Sequence, residues 1–159
     1  MSTEKVREYL KQWNRDKDVV ELQVSTATVT LAAEALKVIP ARIAKSITLR
    51  NNKGGGLLIV AAGDVRVDNK KFKARFGFPP KMLTVDEALT ATGFAVGGIC
   101  PFALPDDLEI YLDESLKRFN SVFPACGSAN SMIEVTINEL VEYSRSRGWV
   151  DIGKYVELG

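Results

Sequence analysis

The chain has no histidine among its 159 residues. Histidine is the usual general base of enzymes and a common metal ligand, so its absence excludes Ser-His-Asp, Cys-His and histidine–zinc catalysis. Any chemistry would have to use carboxylates, lysines, backbone groups or the substrate itself. A protein that binds without catalysis is the other class that remains.

Cysteine and long apolar runs are also scarce. The two cysteines, Cys100 and Cys126, form no C-x-x-C pair, which favours free thiols over a disulfide. Neither has a histidine that would lower its pKa, so a nucleophilic cysteine is the less favoured interpretation. Residues 1–15 lack the apolar stretch of a secretory signal, and no run approaches the roughly 18 apolar residues of a membrane span. We therefore expect a soluble cytoplasmic protein without a membrane partner.

Neither sign of charge is in clear excess, because 21 Lys and Arg stand against 20 Asp and Glu. No global field attracts the protein to DNA, RNA or a membrane, so any RNA contact must come from a local patch. The length and the 46% hydrophobic content fit one domain over residues 1–159.

Apolar periodicity predicts helices interleaved with about six strands, which favours a mixed α/β sheet over a purely parallel one. The predicted helices cover 3–14, 31–36 after hydroxyl caps at 25–28, a segment capped by Asp68, a segment after the capping-box spacing at 84–87, and 138–147. The predicted strands are 19–24, 43–50, 57–62, 108–112, 121–124 and 132–137.

Lys45 is the most informative single residue. Strand alternation places it on the face of Ile43, Ile47 and Leu49, so a cation shares an apolar face. It either extends its amine to water, as lysines often do, or projects into a cavity to meet a phosphate or carboxylate.

Two glycine-containing turns offer backbone amides to a ligand. The segment 97–101 combines two glycines with Pro101, and 127–131 adds hydroxyl and amide side chains. Each is otherwise an ordinary loop, and neither has the Gly-Lys-Ser/Thr ending of a P-loop. Asp113 directly follows the strand predicted at 108–112 and could orient water or cap the next helix.

A basic cluster follows Asp68. Lys70, Lys71 and Lys73, with Arg75, crowd one predicted helix, and Lys81 follows. This cluster could bind RNA phosphates or form a solvated face.

Together these segments resemble the YbaK and prolyl-tRNA synthetase editing-domain superfamily of aminoacyl-tRNA deacylases, over nearly the whole chain. The segments that carry the resemblance are Ser25-Thr26-Ala27-Thr28, Ile43-Ala44-Lys45-Ser46-Ile47, Val60-Ala61-Ala62-Gly63-Asp64, Asp68-Asn69-Lys70-Lys71, the 97–101 loop, Tyr111-Leu112-Asp113 and Gly127-Ser128-Ala129-Asn130. The resemblance implies a compact α/β domain with a strongly bent, barrel-like mixed sheet surrounded by helices.

It also implies a trans-editing hydrolase that deacylates mischarged tRNA, in particular tRNA for proline carrying a small wrong amino acid. Lys45 would bind the phosphate of the 3′-terminal nucleotide, and the Gly97 and Gly98 amides would polarise the ester carbonyl. A ribose hydroxyl would place the water, without metal or cofactor. The remaining residues predicted to bind substrate are Thr26, Thr28, Ile99, Cys100, Pro101, Asp113, Gly127, Ser128 and Asn130.

The chain departs from the family pattern at Cys126, where alanine is expected, at Cys100 inside the substrate loop, and in lacking the histidines of some subgroups. Residues at 24–28 and 99–100 could therefore shift the preference among small amino acids. The resemblance implies the 3′ end of aminoacyl-tRNA as the partner and allows an aminoacyl-tRNA synthetase as a second one. The alternatives are a non-catalytic module that binds tRNA ends or a synthetase, and a hydrolase of another small ester or amide.

Overall fold

The computed structural model describes residues 2–157, so both ends of the expected 1–159 domain lie outside the described residues. Within that range five α-helices are present: α1 (Ser2–Leu10), α2 (Val29–Leu36), α3 (Asn69–Phe76), α4 (Val85–Thr92) and α5 (Ile137–Ser144). No helix of residues 2–157 is both long and apolar enough to cross a membrane.

The predicted caps start three of these helices. The Thr28 hydroxyl accepts from the Leu31 amide at 3.2 Å, and the Asp68 carboxylate accepts from the Lys71 amide at 3.0 Å. Thr84 and Glu87 form the reciprocal capping box at the start of α4. These side chains satisfy amides that the first turn of a helix leaves free, so the predicted starts of α2, α3 and α4 are confirmed.

Ten strands occupy the same range, more than the six expected. They are β1 (Val20–Glu21), β2 (Ile43–Arg50), β3 (Gly56–Ala62), β4 (Val65–Val67), β5 (Glu109–Asp113), β6 (Ser121–Pro124), β7 (Ser131–Met132), β8 (Val135–Thr136), β9 (Trp149–Val150) and β10 (Gly153–Tyr155). The additional strands β4, β9 and β10 have only two or three residues, too few for apolar alternation to mark them.

Six strands form a curled, half-barrel sheet in the order β8-β6-β2-β3-β5-β9. β2 pairs antiparallel with β3, whereas β6–β2, β3–β5 and β5–β9 are parallel. The mixed, strongly bent sheet that was expected is therefore present. Two-stranded ribbons, β1–β7 and β4–β10, flank it.

Four predicted elements were wrong in extent. The helix expected over 138–147 ends at Ser144. The strand expected at 19–24 is reduced to Val20–Glu21, and the helix expected over 3–14 changes after Leu10 to a 3-10 turn at Lys11–Trp13. The strand expected at 132–137 is divided, because β7 pairs with β1 while β8 pairs with β6. The chain changes partner between them, and alternation along one segment cannot reveal that change.

The core lies on both sides of β3. On one side Leu58 and Val60 join the main cluster, which α1 and α5 cover with residues such as Leu10 and Leu140. On the other side Leu57 and Ile59 pack with Leu49, Phe72 and Ile152 under α3. With both faces buried, β3 is a fixed frame against which β2 is placed.

Candidate active site

A cavity of about 450 Å³ opens beside β2, where several segments distant in sequence meet. One part of its wall comes from β2, from the start of α2 with the loop before it, and from the segment that leads into α4. The other part comes from the 97–101 loop, called the glycine loop below, and from the end of β6 and β7. The lining residues are Thr26, Ala27, Thr28, Val29, Ile43, Ala44, Lys45, Ser46, Ile47, Thr48, Met82, Leu83, Val85, Ala88, Val96, Gly97, Ile99, Ala125 and Met132.

The cavity occupies a gap in the hydrogen bonding of β2. On its outer edge, β2 pairs with β6 only at Ile43 and Ala44, and it bridges Met82 only at Leu49. Between these points residues 45–47 have no strand partner on that edge within residues 2–157. A short stretch of free strand edge therefore forms one wall of the cavity.

The backbone of Ser46 points to this free edge. The Thr48 carbonyl accepts from the Leu83 amide at 3.2 Å, and the Arg50 amide donates to the Lys81 carbonyl at 2.8 Å on the same side. Because alternate residues of a strand direct their backbone groups the same way, the N–H and C=O of Ser46 face the cavity. The Ser46 Oγ is also buried and lacks a hydrogen-bond partner among the described residues. Buried polar groups normally have partners, so these groups are suited to a ligand.

Lys45 lies opposite Ala61 of β3 and is half-buried at the same gap. Burial lowers the pKa of its amine, and the negative charge of Asp64 partly opposes this effect. Asp64 is itself held by Arg118 through two hydrogen bonds of 3.0 and 2.6 Å, which lower the pKa of the carboxyl. Within residues 2–157 Lys45 has no ion-pair partner, so its cation is available to a bound anion.

The glycine loop forms the opposite wall. Gly97 lines the cavity at a φ of +100°, and a Cβ there would lie 3.4 Å from Ala27 Cβ. Gly98 is buried against the turn at 127–131, and a Cβ on Gly98 would lie 2.7 Å from the Ser128 amide nitrogen. The Gly98 amide donates to the Ala95 carbonyl at 3.0 Å. Only glycine permits this approach, which brings the two predicted turns into contact.

The predicted residues divide into three groups by position. Lys45, Gly97, Thr26, Thr28 and Ile99 line the cavity together. Gly98, Gly127, Ser128 and Asn130 support its wall: Ser128 Oγ donates to Asn130 Oδ1 at 2.9 Å, and Asn130 Nδ2 donates to the Leu22 carbonyl at 2.9 Å. The remainder, Cys100, Pro101, Asp113 and the three lysines, do not line the cavity.

Cys100 and Pro101 lie behind the glycine loop. Cys100 is fully buried, and burial raises the pKa of its thiol to about 12. Burial also raises the pKa of the Cys126 thiol, and both cysteines are free. Pro101 lines a separate cavity of about 180 Å³. A buried thiol with a raised pKa is a poor nucleophile, so Cys100 contributes to packing of the loop.

Asp113 and the lysine cluster have structural partners. Asp113 caps the 3-10 helix Glu114–Arg118 by accepting from the Ser115 amide at 3.0 Å, and it accepts from the Ile152 amide at 2.9 Å. The capping alternative is therefore confirmed, and a role in binding substrate stays a prediction. Lys70, Lys71 and Lys73 are exposed on α3, where Lys71 pairs with Asp151 at 3.1 Å.

Sequence reasoning missed Ser46 and an apolar rim around the cavity. Met82, Val85 and Val96 line the cavity although each side chain is more than half exposed. Their signal in the sequence is weak: Met82 and Val85 belong to the short stretch Met82-Leu83-Thr84-Val85 after the Pro79-Pro80 break. Among residues 2–157, no three His, Cys, Asp or Glu side chains are grouped so that they could hold a metal ion.

The chain matches the aminoacyl-tRNA editing domain model over residues 23–143. YwhH of Bacillus subtilis (strain 168), described as uncharacterized, is 53% identical over 154 residues, covering 97% of this chain and 98% of that protein. EbsC of Enterococcus faecalis, named as a candidate Cys-tRNA(Pro)/Cys-tRNA(Cys) deacylase, is 27% identical over 130 residues, covering 81% and 74% of the two chains.

A crystal structure described as a candidate trans-editing enzyme for prolyl-tRNA synthetase superimposes with a TM-score of 0.85 at 30% identity, covering 96% of this chain and 97% of the other. The family model spans every residue that lines the cavity, from Thr26 to Met132. The chain therefore belongs to the aminoacyl-tRNA editing domain family.

Proposed function

We propose that the protein is a trans-editing hydrolase that removes a small wrong amino acid from mischarged tRNA for proline, in the cytoplasm. The observation that carries this proposal is that Lys45 and Gly97 line one cavity of about 450 Å³ beside the free edge of β2. The names of two similar proteins, a candidate Cys-tRNA(Pro)/Cys-tRNA(Cys) deacylase and a candidate trans-editing enzyme for prolyl-tRNA synthetase, support this choice of substrate.

The cavity suits a small aminoacyl group attached to a ribose. Its volume lies in the range of roughly 300–1,000 Å³ typical of small-ligand sites. Ile43, Ala125 and Met132 supply apolar wall for a short side chain, while Lys45 and Ser46 supply polar groups at the β2 edge. A larger side chain would have to displace this wall, so we expect alanine, cysteine and serine to be preferred.

Each residue has one proposed task. The Lys45 ammonium binds the phosphate of the 3′-terminal nucleotide. The negative charge of the phosphate favours the protonated amine and so opposes the lowering of the Lys45 pKa by burial. The Gly97 amide donates to the ester carbonyl. The Gly98 amide can add a second hydrogen bond only when it leaves the Ala95 carbonyl. The Ser46 hydroxyl and backbone receive the α-ammonium or a polar side chain of the amino acid.

The hydrolysis itself relies on the substrate. Water, oriented by the free hydroxyl of the terminal ribose, adds to the carbonyl carbon, and the negative charge on the carbonyl oxygen is stabilised by the glycine amide. The ester C–O bond then breaks, one proton of the water passes to the ribose oxygen, the other is released to solvent, and the amino acid leaves as a carboxylate. An aminoacyl ester is already activated, so positioning and amide dipoles can supply the several kcal/mol required without histidine.

A deacylation panel tests the proposal. Purified tRNA for proline carrying alanine, cysteine, serine or proline would be mixed with catalytic amounts of protein, and released amino acid measured over time. We expect multiple turnovers on at least one small wrong amino acid and none on proline. Stoichiometric protection of the ester without release would instead identify a non-catalytic binder. Hydrolysis of free esters but of no aminoacyl-tRNA would identify a hydrolase of another substrate.

A further inference from the structure

The ribbon formed by β4 and β10 places two cations directly opposite each other. Its antiparallel register pairs Arg66 with Lys154, between the Val65–Tyr155 and Val67–Gly153 pairs. Both cationic residues are exposed. Like charges directly opposite on neighbouring strands are destabilising, so this pair costs the fold stability unless an anion binds there.

Three carboxylates close to the ribbon have other partners. Asp64 is bound by Arg118, and Asp151 pairs with Lys71 at 3.1 Å. Asp68 accepts from the Lys71 amide, which is the main reason that the pKa of its carboxyl is lowered, and Lys154 adds a smaller attraction. Within residues 2–157 neither Arg66 nor Lys154 forms an ion pair.

The ribbon is also joined to the wall of the cavity. It begins directly after the Gly63-Asp64 turn, and Gly63 packs so closely that a Cβ there would lie 2.7 Å from Cγ1 of the cavity residue Val29. On β10, the Tyr155 ring lies 4.8 Å from the Arg118 guanidinium that holds Asp64. The ribbon that carries the two cations is therefore connected, through the Gly63-Asp64 turn, to the side of the cavity that contains Lys45.

We propose that Arg66 and Lys154, together with the neighbouring exposed Lys70, bind the phosphate backbone of the tRNA acceptor arm while its acylated end occupies the cavity. This inference rests on the proposed function. RNA phosphates would neutralise the opposed cations, and each phosphate contact adds affinity through release of counterions. The surface adds two strand residues to the lysine cluster of α3, in which Lys71 is held by Asp151 and by the Gly153 carbonyl at 2.9 Å.

Binding of uncharged tRNA for proline tests the surface without any turnover. Fluorescence anisotropy would give the Kd for wild type and for Arg66→Gln/Lys154→Gln over a range of salt concentrations. We expect the double variant to bind roughly tenfold more weakly at low salt, and its plot of log K against log salt to lose about 1.5 in slope, at about 0.7–0.9 for each contact. A matched variant, Lys17→Gln/Lys53→Gln, removes two exposed cations elsewhere and should leave Kd and slope close to wild type.

A second variant separates RNA binding from folding. Arg66→Glu converts the opposed cations into an opposite-charge pair, so its Tm should equal or exceed that of wild type while tRNA binding weakens more than in Arg66→Gln. A lower Tm together with weaker binding would overturn the proposal by making Arg66 a structural residue. Unchanged Kd and salt slope in the double variant would also overturn it, and would leave an acidic protein partner as the occupant of the surface.

Failure of the proposed function is distinguishable from failure of this surface. Hydrolysis of an aminoacylated trinucleotide that ends in the 3′-terminal adenosine depends on the cavity alone, so the double variant should hydrolyse it at the wild-type rate. Wild-type protein that hydrolyses neither this fragment nor aminoacyl-tRNA would remove the proposed function. The Kd and its salt dependence would still decide whether Arg66 and Lys154 bind RNA.

Discussion

β2 and β3 are adjacent antiparallel strands of similar length with opposite properties. β3 is buried along its whole length and pairs with β2 on one edge and β5 on the other. β2 carries Lys45 and Ser46, and pairs along its outer edge only near its two ends. Regular pairing and apolar contact are concentrated in β3, which allows β2 to keep polar groups that the fold itself does not use.

The comparison predicts the largest loss of stability in β3. Leu58→Ala removes a fully buried side chain from the main cluster and should lower the free energy of unfolding by about 2–5 kcal/mol. Urea denaturation followed by circular dichroism measures the change. Leu89→Ala on α4, where leucine is 48% exposed, is the matched control and should change stability by only about 0.5 kcal/mol. Equal losses in both variants would contradict the framing role of β3.

The largest loss of activity is expected in β2. Lys45→Met keeps the length of a half-buried side chain but removes its cation, so kcat/KM for deacylation should fall about 100-fold, about 2.7 kcal/mol, while stability changes by less than about 1 kcal/mol. Single-turnover deacylation and urea denaturation measure the two effects. Lys53→Met in the exposed β2–β3 turn is the control. A wild-type rate in Lys45→Met would remove Lys45 from the mechanism.

A smaller effect is expected from pH. Burial lowers the pKa of Lys45 below its ordinary value of 10.5, so the folded protein loses this proton before the unfolded chain does. Between the two pKa values the unfolded chain binds more protons, so the Lys45 contribution to stability rises with pH while the cation needed for substrate is lost. After subtraction of spontaneous ester hydrolysis, kcat/KM should fall about tenfold per pH unit above the lowered pKa.

Lys45→Arg provides the control for this pH dependence. Arginine keeps its charge throughout the accessible range, so any activity that the variant retains should not decline across the same window. The same decline in the arginine variant would assign the titration to another group.

The smallest effects are expected from two serine substitutions, one on β2 and one beside β3, which should change stability in opposite directions. The buried Ser46 hydroxyl on β2 has no partner among the described residues, whereas the Ser115 hydroxyl accepts from the Ala62 amide of β3 at 3.1 Å. Ser46→Ala should raise the free energy of unfolding by about 1 kcal/mol and reduce deacylation severalfold. Ser115→Ala should lower the free energy of unfolding by about 1–2 kcal/mol, because an amide loses its acceptor. Thermal unfolding of both variants checks the opposite signs.

Local chemistry allowed much of the fold to be predicted. The bounds of β2 and β6, the Thr28 and Asp68 caps and the capping box at Thr84 follow from alternation and from side chains that bind nearby amides. The short strands β9 and β10 did not follow, because their pairing depends on neighbours distant in sequence. The same limit concealed the opposition of Arg66 and Lys154.

The candidate site was predictable in composition but not in arrangement. Strand alternation singled out Lys45, and the conformational freedom of glycine singled out Gly97. The family resemblance implied that both residues belong to one site. Ser46 was not identified, because its importance depends on which edge of β2 lacks a partner, and that edge is defined by β6 and Met82. Gly98 indicated a close approach, but only the structure identifies Gly127 and Ser128 as the other side of it.

The short length of the β2 gap has a consequence for aggregation. Unpaired strand edges usually recruit strands from other molecules and so start aggregates. Here β6 closes the strand at Ala44 and Met82 closes it at Leu49, which leaves a window too short for a foreign strand to add. This part of β2 can therefore leave backbone N–H and C=O groups unpaired for a small ligand without offering a template on which a strand of another copy could pair.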